Sequence, residues 1–333
     1  MIKSYKMVFV STLIFGSLIT VSSFSWLSMW IGLEINLLSI IPLLKDQNNI
    51  YPSESALKYF ITQALASTIL LFAILLSFNL NEFVSQQNNL LMMIFNSAIL
   101  TKVGAAPFHA WFPEVMEGLN WMNCFIMLTW QKIAPMIILI YNLDMTLFLS
   151  AIILFSSVVG GVMGLNQTSL RKILAYSSIN HIGWMIASMI NSQSIWIIYF
   201  FVYAIITTNI ILLLNMANTF YMKQMLNLIS QNKMIKFLFA MNFFSLGGLP
   251  PFLGFFPKWL VINNLVENNF IFLSVILIVS TLIALFFYLR MTFFVLVIKT
   301  KETLIMMPKM KLFLVMWMNF ISLAGLIMCT LIF

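Results

Sequence analysis

Apolar runs of about twenty residues, separated by short polar connections, recur along the whole chain. A helix rises about 1.5 Å per residue, so a run of this length crosses roughly 30 Å of hydrocarbon. The pattern predicts eleven transmembrane helices, near residues 7–24, 26–45, 56–78, 90–111, 120–141, 146–165, 171–190, 195–221, 237–265, 270–298 and 312–333. A closed β-barrel would instead alternate polar and apolar residues in strands of about ten. These runs are apolar all round, so the expected fold class is an all-α polytopic membrane protein, one transmembrane domain over residues 1–333.

Composition agrees, with 62% hydrophobic and only 8% charged residues. Basic residues stay on the side from which a chain inserts. With eleven spans, one face collects Lys3, Lys6, Lys45, Lys58, Arg171, Lys172, Lys223, Lys233, Lys236, Lys299, Lys301, Lys309 and Lys311. The opposite face carries only Glu82, Asp144 and Glu267. The net charge of +8 is thus a topology signal rather than a nucleic-acid footprint. It places the N-terminus on the cytoplasmic or matrix side and the C-terminus opposite. Residues 1–25 lack a small-residue cleavage site, and no signal peptide is expected.

Residues 104–113 read Gly-Ala-Ala-Pro-Phe-His-Ala-Trp-Phe-Pro, and residues 248–257 read Gly-Leu-Pro-Pro-Phe-Leu-Gly-Phe-Phe-Pro. From Gly104 to Gly248 the offset is 144, and at that offset Gly104, Pro107, Phe108, Phe112 and Pro113 match Gly248, Pro251, Phe252, Phe256 and Pro257. The copies fall in the fourth and ninth spans. An odd shift of five helices reverses direction across the membrane, which is the inverted-repeat plan of many transporters. The repeats are expected over residues 1–141 and 145–298, with a C-terminal helix at 312–333. Proline removes an amide donor and crowds the preceding turn, so both spans should be broken.

Four ionisable groups, Glu34, Lys102, Lys132 and Lys258, lie near the middle of separate apolar spans. Charge at that depth costs roughly 3 kcal/mol or more and marks ion or proton pathways. Burial disfavours a charged amine and a neighbouring carboxylate favours it, so moving one against the other would load or release a proton. A static ion pair that fixes the fold is the alternative. His181, in the polar stretch Tyr176-Ser177-Ser178-Ile179-Asn180-His181, suits either a relay or a hydrogen-bonded core position. His109, at the first break, reads as structural, and Arg290 as an anchor or lipid contact. Gly160 and Gly164 read as a close helix crossing. Two cysteines, Cys124 and Cys329, cannot hold an iron–sulfur cluster, and two histidines cannot ligate two haems. With no phosphate loop and no dinucleotide fingerprint, no redox centre or nucleotide site is expected.

Several stretches carry a resemblance. They are Gly-Leu-Glu-Ile-Asn-Leu-Leu at 32–38, Lys-Val-Gly-Ala-Ala-Pro-Phe-His at 102–109, Trp-Gln-Lys-Ile-Ala-Pro at 130–135, Asn-Gln-Thr-Ser-Leu-Arg-Lys at 166–172, Ser-Ile-Asn-His-Ile-Gly-Trp at 178–184 and Leu-Gly-Gly-Leu-Pro-Pro-Phe-Leu-Gly-Phe-Phe-Pro-Lys-Trp at 246–259. In wording and order the chain resembles the antiporter-like membrane subunits of respiratory complex I. Its length looks like the animal form, which lacks three N-terminal helices of bacterial relatives, and its Met, Phe and Asn content is similar to an invertebrate mitochondrial product.

The resemblance implies a proton-translocating subunit in the mitochondrial inner membrane, N-terminus in the matrix and C-terminus in the intermembrane space. Glu34 would tune Lys102, Lys132 would be the central relay, Lys258 would serve the second half-channel, and His181 would lie on the polar axis between them. It implies no cofactor in this chain, with NAD, FMN, iron–sulfur clusters and ubiquinone elsewhere in the complex. Implied partners are neighbouring antiporter-like and small core membrane subunits, accessory subunits and phospholipids including cardiolipin. An independent or Mrp-type cation/proton antiporter, and a purely structural scaffold, are the other readings.

Overall fold

The computed structural model describes residues 4–46, 49–80, 88–225 and 233–297, together with Met316, Trp317, Asn319, Phe320, Ser322 and Gly325. Among them the chain is helical, with one isolated antiparallel bridge between Ser169 and Tyr221. The helices are α1 (Ser4–Ser22), α2 (Trp26–Leu44), α3 (Tyr51–Leu80), α4 (Asn88–Val103), α5 (Trp111–Gly118), α6 (Trp121–Leu128), α7 (Trp130–Ile140), α8 (Thr146–Gly164), α9 (Leu170–Asn191), α10 (Gln193–Met216), α11 (Lys233–Gly247), α12 (Phe255–Glu267) and α13 (Ile271–Val297). Eight helical segments among the described residues are long and apolar enough to cross a membrane, α6 and α7 together counting as one. Most of the expected eleventh span, and Cys329, lie outside the described residues.

Helices answer every backbone group within the segment, which hydrocarbon demands. Serines and threonines fit into them by donating back along the same helix, as Ser177 does to the Leu174 carbonyl and Ser178 to that of Ala175. The segments expected as the fourth and ninth spans are each interrupted, over 104–110 and 248–254, as the proline pattern predicted. Several boundaries differ from the sequence expectation: the fourth span runs on to Gly118 as α5 rather than ending at 111, and the ninth begins four residues early, at Lys233. The third span starts five residues early, at Tyr51, because the Ile50 carbonyl already accepts from the amides of Ser53 and Glu54. The eighth stops at Met216, where Asn218 takes a positive φ of 49° and ends the helix. The fifth is not continuous, since Thr129, with φ −115° and ψ −72°, separates α6 from α7.

The chain forms two compact units, residues 1–152 and 153–333. In the first, α1 and α2 pair as a tight hairpin, α3 packs on α2, α4 and α5, and α7 lies against α1, α2 and α4. Asn123 on α6 donates to the Leu43 and Leu44 carbonyls and so satisfies the end of α2. In the second unit α9 is buried along nearly its whole length, against α10, α12 and α13, while α11 packs on α10 and α13. Gly160 and Gly164 do give close approaches, but to different helices. A Cβ on Gly160 would lie 2.6 Å from the Asn180 amide of α9, and one on Gly164 would lie 2.8 Å from the Phe287 ring of α13. Arg290 is an anchor: its guanidinium donates to the carbonyls of Leu165 (2.6 Å) and Gln167 (3.3 Å), just past the end of α8.

In the α1–α2 hairpin a Cβ on Gly32 would sit 2.6 Å from Thr20 Cγ2 and 2.9 Å from the Gly16 carbonyl oxygen. Gly32→Val should therefore destabilise the hairpin by about 2 kcal/mol through overpacking. The expected result is a lower midpoint of heat-induced unfolding in detergent, and an unchanged midpoint would show that the hairpin can spread.

Candidate functional site

Each unit holds a buried lysine beside an interrupted helix. In the first, Lys102 closes the last turn of α4. Gly104 follows with φ +82°, a left-handed conformation that favours glycine, and the Gly104 and Ala105 amides both donate to the Leu100 carbonyl. The carbonyls freed by the break are met by side chains: Trp111 Nε1 donates to Thr101 (3.0 Å) and Gln63 Nε2 to Lys102 (3.5 Å).

The Lys102 ammonium stands 3.9 Å from Glu34 Oε1 on α2, as expected for paired mid-span charges. The lysine side chain is 3% exposed and the glutamate 25%, and Glu34 Oε1 makes no hydrogen bond among the described residues. Beside the pair is a small cavity lined by Asn36, Tyr59, Gln63, Lys102 and Gln131, among others. Gln131 Nε2 donates to Asn36 Oδ1 (2.9 Å), and the Tyr59 hydroxyl reaches Gln131 Oε1 (3.4 Å). Sequence reasoning missed these amides. Their signal was their type, since Asn36 and Gln63 are lone carboxamides in apolar spans and Gln131 is the one carboxamide of α7.

Lys132 is fully buried on the first turn of α7, just past the Thr129 interruption. Its ammonium lies over the Phe112 ring, 5.7 Å from the centroid, at the start of α5. The first unit thus brings Glu34, Lys102 and Lys132 around one break. His109, half-buried, places Nδ1 3.3 Å from the Pro107 carbonyl, a local turn contact.

The second unit repeats the backbone of the break. Gly248 has φ +77°, Leu249 donates to the Phe244 carbonyl, and Phe256 donates to that of Leu253, matching Ala105 to Leu100 and Phe112 to His109 at the same offset of 144 residues. Here the lysine follows the break. Lys258, on the first turn of α12, folds back to donate to the carbonyls of Gly247 (2.8 Å) and Leu246 (3.4 Å). It occupies the space of the side chain that Gly248 lacks, where a Cβ would meet Lys258 Cδ at 2.8 Å. The ammonium also lies 5.9 Å from the Trp184 ring centroid on α9.

One turn before Trp184, His181 Nδ1 is 2.8 Å from the Tyr199 hydroxyl, and its ring is 5.1 Å from that of Tyr203. A narrow cavity lined by His181, Tyr199, Tyr203, Ser245, Leu246 and Pro257 joins this histidine to the break. Tyr199 and Tyr203 were not anticipated, because their link to His181 runs between spans and leaves no local pattern. The two sites together hold five side chains of titratable type, Glu34, Lys102 and Lys132 in the first unit and His181 and Lys258 in the second.

The transmembrane family described as NADH:quinone oxidoreductase/Mrp antiporter matches residues 23–284. The NADH-ubiquinone oxidoreductase chain 2 of Anopheles gambiae is 49% identical over 333 residues, covering 98% of this chain and 97% of the relative. That of Locusta migratoria is 44% identical over 331 residues, covering 98% and 96%. Among solved structures, a chain of respiratory complex I from Thermus thermophilus with bound aureothin superposes with a TM-score of 0.89 at 23% identity, over 98% of this chain and 79% of that one. A chain of the Mrp complex from Dietzia sp. DQ12-45-1b does so with 0.78 at 14%, over 88% and 61%.

Removing one member of a largely buried ion pair strands the other charge. Glu34→Gln and Lys102→Met should each cost about 2 kcal/mol, Glu34 being partly exposed. The double variant should cost no more than either single one. Midpoints of heat dissociation in a double-mutant cycle measure this, and additive losses would show two independent side chains.

Proposed function

The chain belongs to the NADH:quinone oxidoreductase/Mrp antiporter family of membrane proteins and is a proton-translocating subunit of respiratory complex I; we propose that it moves protons through its two buried lysine sites. The observation that carries this reading is a repeated one: each broken helix holds a lysine whose charged form has a built-in counter-group. For Lys102 that group is the Glu34 carboxylate at 3.9 Å. For Lys258 it is the C-terminal carbonyl pair of α11, the negative end of a helix dipole.

In this reading Lys132 is the relay of the first unit, exchanging with Lys102 and Glu34 through water in the carboxamide-lined cavity. His181, oriented by the Tyr199 hydroxyl, serves Lys258 in the second unit. A shift of Glu34 away from Lys102 withdraws the counter-charge and releases the proton; its return reloads the amine. The chain carries no redox centre, and NAD, FMN, iron–sulfur clusters and ubiquinone belong to other subunits. We also propose the eleven-helix, inverted-repeat plan, since it accounts for the matching backbone of the two breaks. With it go the mitochondrial inner membrane, an N-terminus in the matrix and a C-terminus in the intermembrane space. Partners in the reading are neighbouring antiporter-like and small core subunits, accessory subunits, and phospholipids such as cardiolipin. An Mrp-type antiporter would use the same lysines, but the full-length identity to complex I chain 2 relatives favours the pump.

Lys132→Met and Lys258→Met each delete a titratable stop on the path. Each should slow NADH-driven proton pumping, and NADH–quinone activity with it, by about tenfold or more, as loss of a proton-transfer group does, in enzyme that still assembles. The measurement is acidification by reconstituted vesicles, and undiminished pumping by assembled variants would overturn the relay roles.

A further inference from the structure

Three C-terminal residues make contacts that the proton path does not use. Asn319, Ser322 and Gly325 follow one another at three-residue spacing, hence on one helical face. Asn319 and Ser322 are buried, whereas Trp317 and Phe320 between and beside them are exposed, at 58% and 65%. Asn242 Nδ2 on α11 donates to Asn319 Oδ1, and the Ser322 hydroxyl donates to Asn242 Oδ1 (3.3 Å) and to the Asn319 carbonyl (2.9 Å). Asn242 is itself wholly buried. Polar groups in such surroundings are costly unless paired, so this cluster fixes the register of the segment against α11.

The same face reaches beyond the end of α11. A Cβ on Gly325 would sit 2.6 Å from Leu253 Cδ1, and Leu253 lies inside the interruption. The segment therefore touches the chain on both sides of the point where α11 stops. Between these two contacts lie Ser245, whose hydroxyl donates to the Asn242 carbonyl (2.7 Å), and the Leu246 and Gly247 carbonyls that hold Lys258. Gly254 closes the arrangement, because a methyl there would collide with the Ser245 carbonyl. The first break is held differently, from α3, by Gln63 on the Lys102 carbonyl and by Tyr59 packed on Trp111 with centroids 5.8 Å apart.

We propose that the C-terminal segment splints the second interruption, with Asn319, Ser322 and Gly325 as positioning residues that hold the carbonyls receiving Lys258. The splint stands on contacts alone, while its bearing on pumping rests on the relay reading of Lys258. Two measurements on the assembled complex separate them. In Asn319→Leu, hydrogen exchange at the Gly248 and Leu249 amides should run roughly fivefold faster, as loss of one buried hydrogen bond allows, with exchange over 104–110 unchanged. Ser322→Ala should shift the same amides less and in the same direction, and it carries the test if Asn319→Leu does not assemble. NADH-driven proton pumping should slow in step, with no further loss when Asn319→Leu is added to Lys258→Met. Unchanged exchange at 248–249, or an equal rise at both breaks, overturns the splint. Local loosening with pumping intact keeps the splint and removes Lys258 from the relay.

Discussion

Backbone carbonyls and amides have no water to turn to inside hydrocarbon, and the rest of this structure follows from how that demand is met where helices stop. At the first break neutral side chains do it: Trp111 and Gln63 take the carbonyls of Thr101 and Lys102, which leaves the Lys102 ammonium to face Glu34. At the second break the lysine itself takes the carbonyls. One structural problem thus has two answers, and the difference decides what each lysine sees.

The repeat shows the same division between backbone and chemistry. Positive φ at Gly104 and Gly248, and matched amide-to-carbonyl bonds beyond them, show that the two copies fold alike. Their charges do not correspond. At the offset of 144 residues Lys258 falls opposite Glu114, and Leu246 opposite Lys102. Glu114 is exposed and pairs with Lys58 at 3.4 Å, which in turn holds Glu54 at 3.1 Å, so the first copy spends that position on a surface ion-pair group.

Much of this was legible in the chain. Glycine and proline announce an interruption by their covalent geometry, so both breaks could be placed to within a few residues. Charges are rare enough in apolar spans that Glu34 and the three lysines stood out before any coordinates, and the resemblance then implied the pairing of Glu34 with Lys102. The Thr129 interruption could not be read, because threonine is ordinary within transmembrane helices and Pro135 lies too far along to mark it. Nor could the partners of His181, or the meeting of the carboxamides with one another around Lys102, which comes only through packing between spans. The C-terminal contacts were hidden for the same reason, since Asn242 and Asn319 are 77 residues apart.

Arg290 fixes something that neither charge nor packing alone would. α13 runs 27 residues from Ile271, roughly 40 Å, which is longer than the hydrocarbon is thick. A free arginine would snorkel and let the helix slide or tilt to suit the lipid. This guanidinium is tied to the Leu165 and Gln167 carbonyls, some nineteen residues, or roughly 28 Å, along from Ile271. It acts as a latch: the height of α13 is fixed against the end of α8, so neither helix can slide past the other to suit a thicker or thinner bilayer.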